Sequence, residues 1–186
     1  FQEARENLSK SQKKLEEVSY ALSEIRQKYS KTLTDKIIEG LKDLNFLDVQ
    51  FRIDFKRKEE YTAGGFDDIE YEISTNPGES LKPLGKIVSG GELSRIMLAI
   101  KAILADRDQI ETLIFDEIDT GISGRTAQKV SEKMAVIGRC HQVLCITHLP
   151  QIAAMADTHF EIEKHQKDNE TITEIHPLEG DDSVRE

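Results

Sequence analysis

The sequence has few cysteines, and their spacing suits neither a disulfide framework nor a zinc site. The two cysteines, Cys140 and Cys145, lie before and within an apolar run that is typical of a strand. Disulfide-rich domains and zinc modules need more cysteines or histidines, at regular spacings. We therefore expect both residues to be reduced and to contribute to packing, as is usual in a cytosolic protein.

Basic residues are outnumbered as well. The chain has 25 lysines and arginines against 35 aspartates and glutamates, which gives a net charge of −10. Because binding to nucleic acid depends on neutralising phosphates with Lys and Arg, this balance argues against broad electrostatic affinity for DNA or RNA. A local basic patch stays compatible with the composition.

Long apolar runs are missing too. None approaches the length of a membrane span, and no secretory leader is visible. The chain begins at Phe1 within a helical pattern, so we expect it to be a piece of a longer protein. A truncated start does not exclude a secretory leader upstream of Phe1. Its 186 residues are enough for one sizeable core with a projecting element.

Proline and glycine are absent before Gly40, and apolar side chains recur there at heptad spacing. This pattern predicts a coiled-coil seam. We expect residues 1–44 to form a coiled-coil arm that enters a head made of residues 45–186. One long amphipathic surface helix is the alternative, and a coiled-coil seam would need a second helix. The seam positions are Phe1, Ala4, Leu8, Ser11, Leu15, Val18, Leu22, Ile25, Tyr29 and Thr32.

A β-hairpin with one buried face is predicted after the arm. Apolar residues alternate from Leu47 to Phe55 and again from Ile69 to Ile73, with Gly64-Gly65 in the polar turn between them. Residues 79–88 carry Pro83 and Gly85 and are predicted to form a loop.

Strands alternate with helices in the second half of the chain. Helical patterns follow Ser89 and span 123–137 and 150–155, and the strands are predicted at 112–116, 142–147, 159–164 and 170–175. Short apolar strands between helices indicate an α/β fold with a mostly parallel sheet, covered on both faces. Ligands of such sheets gather beyond the carboxyl ends of the strands.

The segment Ser89-Gly90-Gly91-Glu92 opens one of these helices. Ser89 followed by Glu92 makes a capping box, which needs no ligand. Two successive glycines go further, because they leave backbone amides uncovered at the positive end of a helix. Such amides bind phosphate. Taken with the strand that follows, the segment favours a phosphate contact.

Two adjacent carboxylates, Asp116 and Glu117, end the apolar strand Leu113-Ile114-Phe115. Side chains alternate along a strand, so the two are predicted to point in different directions. One carboxylate is suited to hold Mg²⁺ through a water molecule, and the other is suited to orient an attacking water. A solvated strand end is the alternative interpretation.

A loop and a histidine follow. In residues 119–124, Gly121 is predicted to form a tight turn and Ser123 to cap the next helix, and the loop is a plausible subunit contact. His148 lies at the end of the neighbouring strand, where its ring would reach a phosphate oxygen, although a lone histidine is usually an ordinary polar residue. The other four histidines lack metal-ligand spacing.

The phosphate-binding loop G-x-x-x-x-G-K-[ST] is absent from the sequence. The chain is therefore predicted to hold the two carboxylates without the main cradle of the nucleotide, and to be catalytically inactive by itself.

Three segments carry a family resemblance that covers essentially the whole chain: Ser89 to Arg95, Phe115 to Gly124, and Thr147 to Ala153. With them, the chain resembles the carboxyl-terminal half of the head of an SMC-like ATP-binding-cassette ATPase. Within that group it is similar to a bacterial family of DNA repair proteins. Two departures from the wider superfamily are Val88, where Leu is usual, and Ser123, where many relatives have Asp.

The resemblance implies a role for each motif. Ser89, Gly90, Gly91 and Glu92 match the signature motif, which contacts the γ-phosphate of ATP held by an opposite head. Asp116 matches the Walker B aspartate that supports Mg²⁺, and Glu117 the glutamate that polarises water. The D-loop is matched by Thr120 to Ser123, including Gly121, and the switch histidine by His148. The Walker A and Q-loop motifs would lie in an amino-terminal half.

The implied function is ATP binding and hydrolysis in a cytoplasmic, nucleoid-associated protein of double-strand-break repair and recombination. Its implied cofactors are ATP and Mg²⁺. Its implied partners are its own amino-terminal head half, a second head in an ATP-dependent homodimer, and DNA, without a membrane. A non-enzymatic coiled-coil scaffold of chromosome maintenance is the alternative. A transport ATPase subunit is disfavoured by the heptad arm.

Overall fold

The computed structural model describes residues 1–87, 89–107, 109–167 and 170–178. The chain divides into two compact units, Phe1–Val88 and Ser89–Glu186. The first contains the long helix and the hairpin, and the second contains the strands and helices of the predicted site. No helix in the described ranges is long and apolar enough to cross a bilayer.

The predicted arm is helix α1, Gln2–Asp43. It ends in a Schellman motif: Asn45 adopts φ 72°, and the N–H groups of Asn45 and Phe46 donate to the carbonyls of Lys42 and Leu41. Leu41 and Phe46 are both buried, so an apolar contact can accompany this cap. Most of the heptad seam is exposed to solvent, including Leu8, Leu15, Val18, Ile25 and Tyr29. The second helix, and the division at residue 44, therefore stay predictions.

The hairpin consists of β1, Gln50–Thr62, and β2, Gly65–Ser74, paired antiparallel. Its buried face is less complete than predicted. Phe51 and Ile73 are buried, but Ile69 and Tyr71 are exposed on the middle of β2. Leu47 is exposed too, because β1 begins three residues later and Phe46 is buried instead.

Two smaller details complete the first unit. The predicted loop contains a two-residue strand β3, Lys82–Pro83, which pairs with β2. The tip of the hairpin packs against α1, where the Asp67 carboxylate accepts hydrogen bonds from the Ser23 hydroxyl at 2.7 Å and the Arg26 guanidinium at 2.8 Å.

The second unit follows the predicted strand–helix order. Its helices are α2, Gly90–Leu104, α3, Gly124–Gly138, and α4, Pro150–Ala153. Strands β4, Thr112–Phe115, and β5, Gln142–Cys145, pair in parallel. Strands β6, His159–Lys167, and β7, Glu170–Leu178, form a separate antiparallel sheet. The core of this unit is formed by Ile96, Leu98, Phe115, Ile118, Val130, Ile137 and Ile152.

Two expectations about packing are wrong. The parallel sheet is covered on one face only: Phe115 is buried, while Ile114 is 66 % exposed and Leu144 and Ile146 are exposed as well. Both cysteines are free thiols, but Cys140 is exposed instead of packed. Cys145 is half-buried, and burial together with the nearby Asp119 and Asp116 carboxylates raises the pKa of its thiol to about 11.

Candidate nucleotide site

The parallel pairing of β4 and β5 places two sequence motifs at one edge of the sheet. Phe115 lies opposite Cys145, and the Ile146 N–H donates to the Phe115 carbonyl at 3.0 Å. Asp116-Glu117 and Thr147-His148 therefore both leave the sheet at its carboxyl edge. This is where α/β sheets bind ligands.

The signature segment forms the N-terminus of α2, as its capping pattern predicts. The Ser89 hydroxyl accepts the Glu92 N–H at 3.4 Å, and the Ser89 carbonyl accepts the Leu93 N–H. Ser89 and Gly90 are exposed, whereas Gly91 is buried. The open end of a fifteen-residue helix is thus accessible to an anion. Val88, the departure from the superfamily signature, lies outside the described residues.

Both glycines pack closely against the end of β4. A Cβ on Gly90 would overlap the Glu117 carboxylate. A Cβ on Gly91 would lie 2.8 Å from the Glu117 carbonyl oxygen and 3.0 Å from the Thr120 Cβ. Glycine is therefore needed at position 91, where an added methyl group would meet backbone, whereas at position 90 the Glu117 side chain would have to move.

The two carboxylates that follow β4 are both exposed. Asp116 is exposed, and its Oδ1 accepts the Glu117 N–H at 2.9 Å. Glu117 is also exposed and has a φ of 56°, a left-handed conformation that is uncommon outside glycine. Strained backbone of this kind persists where the surroundings enforce it, often at functional sites.

Side chains of α2 tie the helix to this turn. The Ser94 hydroxyl donates to the Asp116 carbonyl at 2.8 Å. Arg95, 8 % exposed, donates to the carbonyls of Ile118 at 3.2 Å and Thr120 at 2.9 Å. Burial lowers the pKa of the Arg95 guanidinium from its usual high value. The sequence gives no separate signal for Arg95, because its role depends on carbonyls more than twenty residues away.

Asp119 lies within this cluster, although its place in the sequence marks it only as part of a loop. It is 3 % exposed, and its Oδ2 accepts the Thr147 hydroxyl at 2.5 Å and the His148 N–H at 2.8 Å. Nδ1 of His148 lies 3.0 Å from the same oxygen. Burial would raise the pKa of Asp119, but these hydrogen bonds and the neighbouring histidine outweigh it and hold that pKa below its ordinary value.

The D-loop residues lie directly beyond this turn. The Thr120 N–H donates to the Glu117 carbonyl at 3.1 Å, and Gly121 has φ 74°, as the predicted tight turn requires. Ser123 occupies the N-cap position of α3, but its side chain makes no capping hydrogen bond. Thr120, Gly121 and Ser123 are exposed, so the loop is accessible to a partner.

The described residues suit Mg²⁺ only in company with phosphate. They contain no group of three or more His, Cys, Asp or Glu side chains able to hold a metal ion. Mg²⁺ usually binds through one or two carboxylates plus phosphate oxygens and waters, so the exposed carboxylate of Asp116 fits it. The ring nitrogens of His141 lie 2.6 Å and 2.9 Å from the carbonyl oxygens of Ile110 and Ala105.

Comparison with known proteins finds several relatives that share the same name. The chain is 46 % identical over 176 residues to the DNA repair protein RecN of Halalkalibacterium halodurans, covering 92 % of this chain and 31 % of the relative. It is 46 % identical over 180 residues to RecN of Bacillus subtilis, covering 89 % and 31 %. RecN of Vibrio cholerae is 38 % identical over 166 residues, with 89 % and 30 % covered. The chain thus spans about three-tenths of the length of these relatives.

Solved structures support the fold. An Smc head domain with a coiled coil and joint from Pyrococcus yayanosii matches with a TM-score of 0.63 at 18 % identity, covering 99 % of this chain and 34 % of that one. An Smc head domain with an extended coiled coil from Pyrococcus furiosus, bound to the C-terminal domain of ScpA, matches with a TM-score of 0.54 at 18 % identity, covering 96 % and 45 %. No family model matches. The α/β fold is that of part of an SMC-like head.

Proposed function

This chain belongs to the RecN family of DNA repair proteins, and we propose that it forms the carboxyl-terminal half of an ATPase head. In this proposal the complete protein binds and hydrolyses ATP with Mg²⁺ during double-strand-break repair and recombination. Two heads dimerise around the nucleotide, and each supplies its signature segment to the ATP held mainly by the other.

One observation carries the proposal: the open N-terminus of α2 and the acidic end of β4 form a single polar cluster at the carboxyl edge of the sheet. The glycines at 90 and 91 lie against Glu117, and Ser94 and Arg95 bind the backbone of the turn. Helix amides for phosphate and carboxylates for metal and water are the elements that phosphoryl transfer requires.

Each residue has a role in the proposed site. The Ser89 hydroxyl and the amides of Gly90 and Gly91, beside Glu92, contact the γ-phosphate in the opposite head. Thr120, Gly121 and Ser123 contact that head, and Asp116 supports Mg²⁺ through water. Glu117 orients and polarises the attacking water, and His148 contacts the γ-phosphate. Bound Mg²⁺ would neutralise phosphate charge.

The amino-terminal half of the head is the first partner that this proposal requires. Among the described strands, β5 pairs only with β4 and β6 only with β7, so each small sheet has an open edge. A strand from the amino-terminal half would join them, and its neighbours would cover the exposed Ile114, Leu144 and Ile146. That half also supplies the missing phosphate-binding loop.

Glu117→Gln in the complete protein tests the proposal. The amide keeps the size of the side chain but cannot polarise water, so we expect ATP-bound dimers to accumulate while turnover is lost. Light scattering with and without ATP measures the dimers. Glu111→Gln, at the other end of β4, is the matched control and should behave like the unmodified protein. If Glu117→Gln gives no ATP-dependent dimers and retains turnover, Glu117 is a strand-end surface residue and does not activate the water.

A further inference from the structure

Asp119 is a buried charge to which the roles above assign nothing. Its Oδ2 accepts two hydrogen bonds from the end of β5, from the Thr147 hydroxyl and the His148 N–H, and lies 3.0 Å from Nδ1 of His148. A buried carboxylate is costly unless it is paired and hydrogen-bonded. Three polar groups gathered on one oxygen satisfy that requirement and join the Walker B turn to the switch histidine.

The contact with Nδ1 determines how the ring is presented. An ionised carboxylate has no proton to donate, so a ring nitrogen held 3.0 Å from Oδ2 is favoured in the form in which Nδ1 carries the proton. The hydrogen bonds that lower the pKa of Asp119 keep it ionised at neutral pH. Nε2 is then the ring nitrogen left for a ligand, on a side chain that is 72 % exposed.

The turn that carries Asp119 is itself fixed from α2. Arg95 donates to the carbonyls of Ile118 and Thr120, the residues on either side of Asp119. The signature helix, the buried carboxylate and the histidine are thus linked by consecutive hydrogen bonds. A small displacement of Asp119 would be passed to the ring of His148.

We propose that Asp119 is a positioning residue: it fixes the orientation and the Nδ1–H form of His148 and so directs Nε2 towards the γ-phosphate. This inference rests on the proposed function, because the contact of His148 with phosphate belongs to it. The Asp119 carboxylate acts through the histidine and does not contact the nucleotide. Replacing the residue that orients a metal-ligating histidine typically lowers activity about 10- to 100-fold, and we expect a loss of similar size here.

The first test observes the ring directly, without ATP. In the 186-residue chain labelled with ¹⁵N-histidine, long-range ¹H–¹⁵N spectra report which ring nitrogen is protonated, and His148→Gln identifies the signals of His148. We expect Nδ1 to be protonated, and Asp119→Ala to move the proton towards Nε2. Unchanged ring signals in Asp119→Ala would overturn the inference whatever the protein does with ATP.

The second test is a double-mutant cycle on ATP turnover by the complete protein. Asp119→Ala should lower kcat about 10- to 100-fold, and Asp119→Asn, which keeps an oxygen acceptor, should lower it less. In a His148→Ala background neither change should lower kcat further, because the path through the ring is already lost.

The outcomes separate the two proposals. Losses that add in the His148→Ala background would show that Asp119 acts only through the fold, and wild-type turnover in Asp119→Asn and Asp119→Ala would show that it does not act at all. Either result overturns the inference and leaves the proposed function intact. Full turnover in His148→Ala would remove the histidine from the site and overturn the inference, while the proposed ATPase function would lose only the role of His148. If Asp119→Ala does not fold, Asp119→Asn alone completes the cycle.

Discussion

At the scale of single residues, the site depends on how closely two backbones approach each other. Gly90 and Gly91 meet the end of β4 through different atoms: the first faces the flexible carboxylate of Glu117, and the second faces the Glu117 carbonyl and Thr120. A side-chain end can rotate away from an added methyl group, whereas a backbone carbonyl cannot. The two glycines should therefore respond differently to the same substitution.

We expect Gly91→Ala to lower the free energy of unfolding by about 1–3 kcal/mol, because the methyl group overpacks against backbone. Gly90→Ala should change stability little, since alanine favours the helix, but should reduce ATP turnover of the complete protein by displacing the Glu117 carboxylate. Urea unfolding of the chain and a turnover assay measure the two effects.

Gly138→Ala is the control for this pair, because nothing lies within 4 Å of the added Cβ. It should be neutral or slightly stabilising. Equal stability losses in Gly90→Ala and Gly91→Ala would contradict the distinction between a movable carboxylate and a fixed carbonyl.

The residues of the site differ in how visible they are in the sequence. Asp116 and Glu117 are predictable because they end an apolar run, and Ser89 because it opens a helical pattern. The role of Asp119 is not predictable from the sequence, because its hydrogen-bond partners lie 28 and 29 residues further along the chain and its burial depends on the register of β4 and β5. The cap predicted for Ser123 fails at the side chain, because the N-cap position alone does not create the hydrogen bond.

At the scale of elements, the hairpin is anchored to the arm helix by a polar contact with an aromatic flank. Arg26 donates to Asp67 and to the Gly64 carbonyl, and the Asp67 side chain is 4 % exposed. Beside it, the Arg57 guanidinium lies 5.2 Å and 4.7 Å from the ring centroids of Tyr20 and Phe66. This contact uses one side of α1 and leaves most of the heptad seam exposed.

Breaking this contact should destabilise the first unit. We expect Asp67→Ala to lower the free energy of unfolding by about 1–3 kcal/mol, because Arg26 and Ser23 lose a buried, charged acceptor. Asp68→Asn is the matched control: its carboxylate is exposed and lies 3.4 Å from an exposed Lys58, a pair worth at most about 1 kcal/mol. Chemical unfolding followed by circular dichroism measures both variants, and equal losses would contradict the assigned anchor.

Acid should weaken the same anchor in a defined direction. Burial would raise the pKa of Asp67, but the hydrogen bonds from Arg26 and Ser23 and the charge of Arg26 outweigh it and lower that pKa. A lowered folded pKa means that the contribution is fully present above the ordinary pKa of an aspartate and is lost as the pH falls below it. In Asp67→Ala this part of the acid dependence of stability should disappear.

At the scale of the whole molecule, local sequence patterns predict the helices and strands well. They predict poorly which faces and edges of these elements are covered. The order of helices and strands, the parallel pairing of β4 with β5 and the final hairpin all follow from periodicity and turn residues. Coverage of the sheet on both faces does not follow, because it depends on segments beyond those that form it. In the described residues Ile114 and Ile146 are exposed, β5 pairs only with β4 and β6 only with β7, and most of the heptad seam of α1 is exposed.

The last prediction follows from the proposed division of the ATPase head into two halves. The 186-residue chain lacks the G-x-x-x-x-G-K-[ST] loop, so we expect it to show negligible ATP turnover by itself and to gain turnover when the amino-terminal half of the protein is added. Phosphate release is the measurement, and the same mixture made with Glu117→Gln is the control for contaminating ATPases. Robust turnover by the chain alone that Glu117→Gln abolishes would mean that these residues hold the nucleotide unaided. The division of the site between two halves would then be wrong, whereas activity that needs both halves and Glu117 would place the water-activating carboxylate in one half and the phosphate cradle in the other.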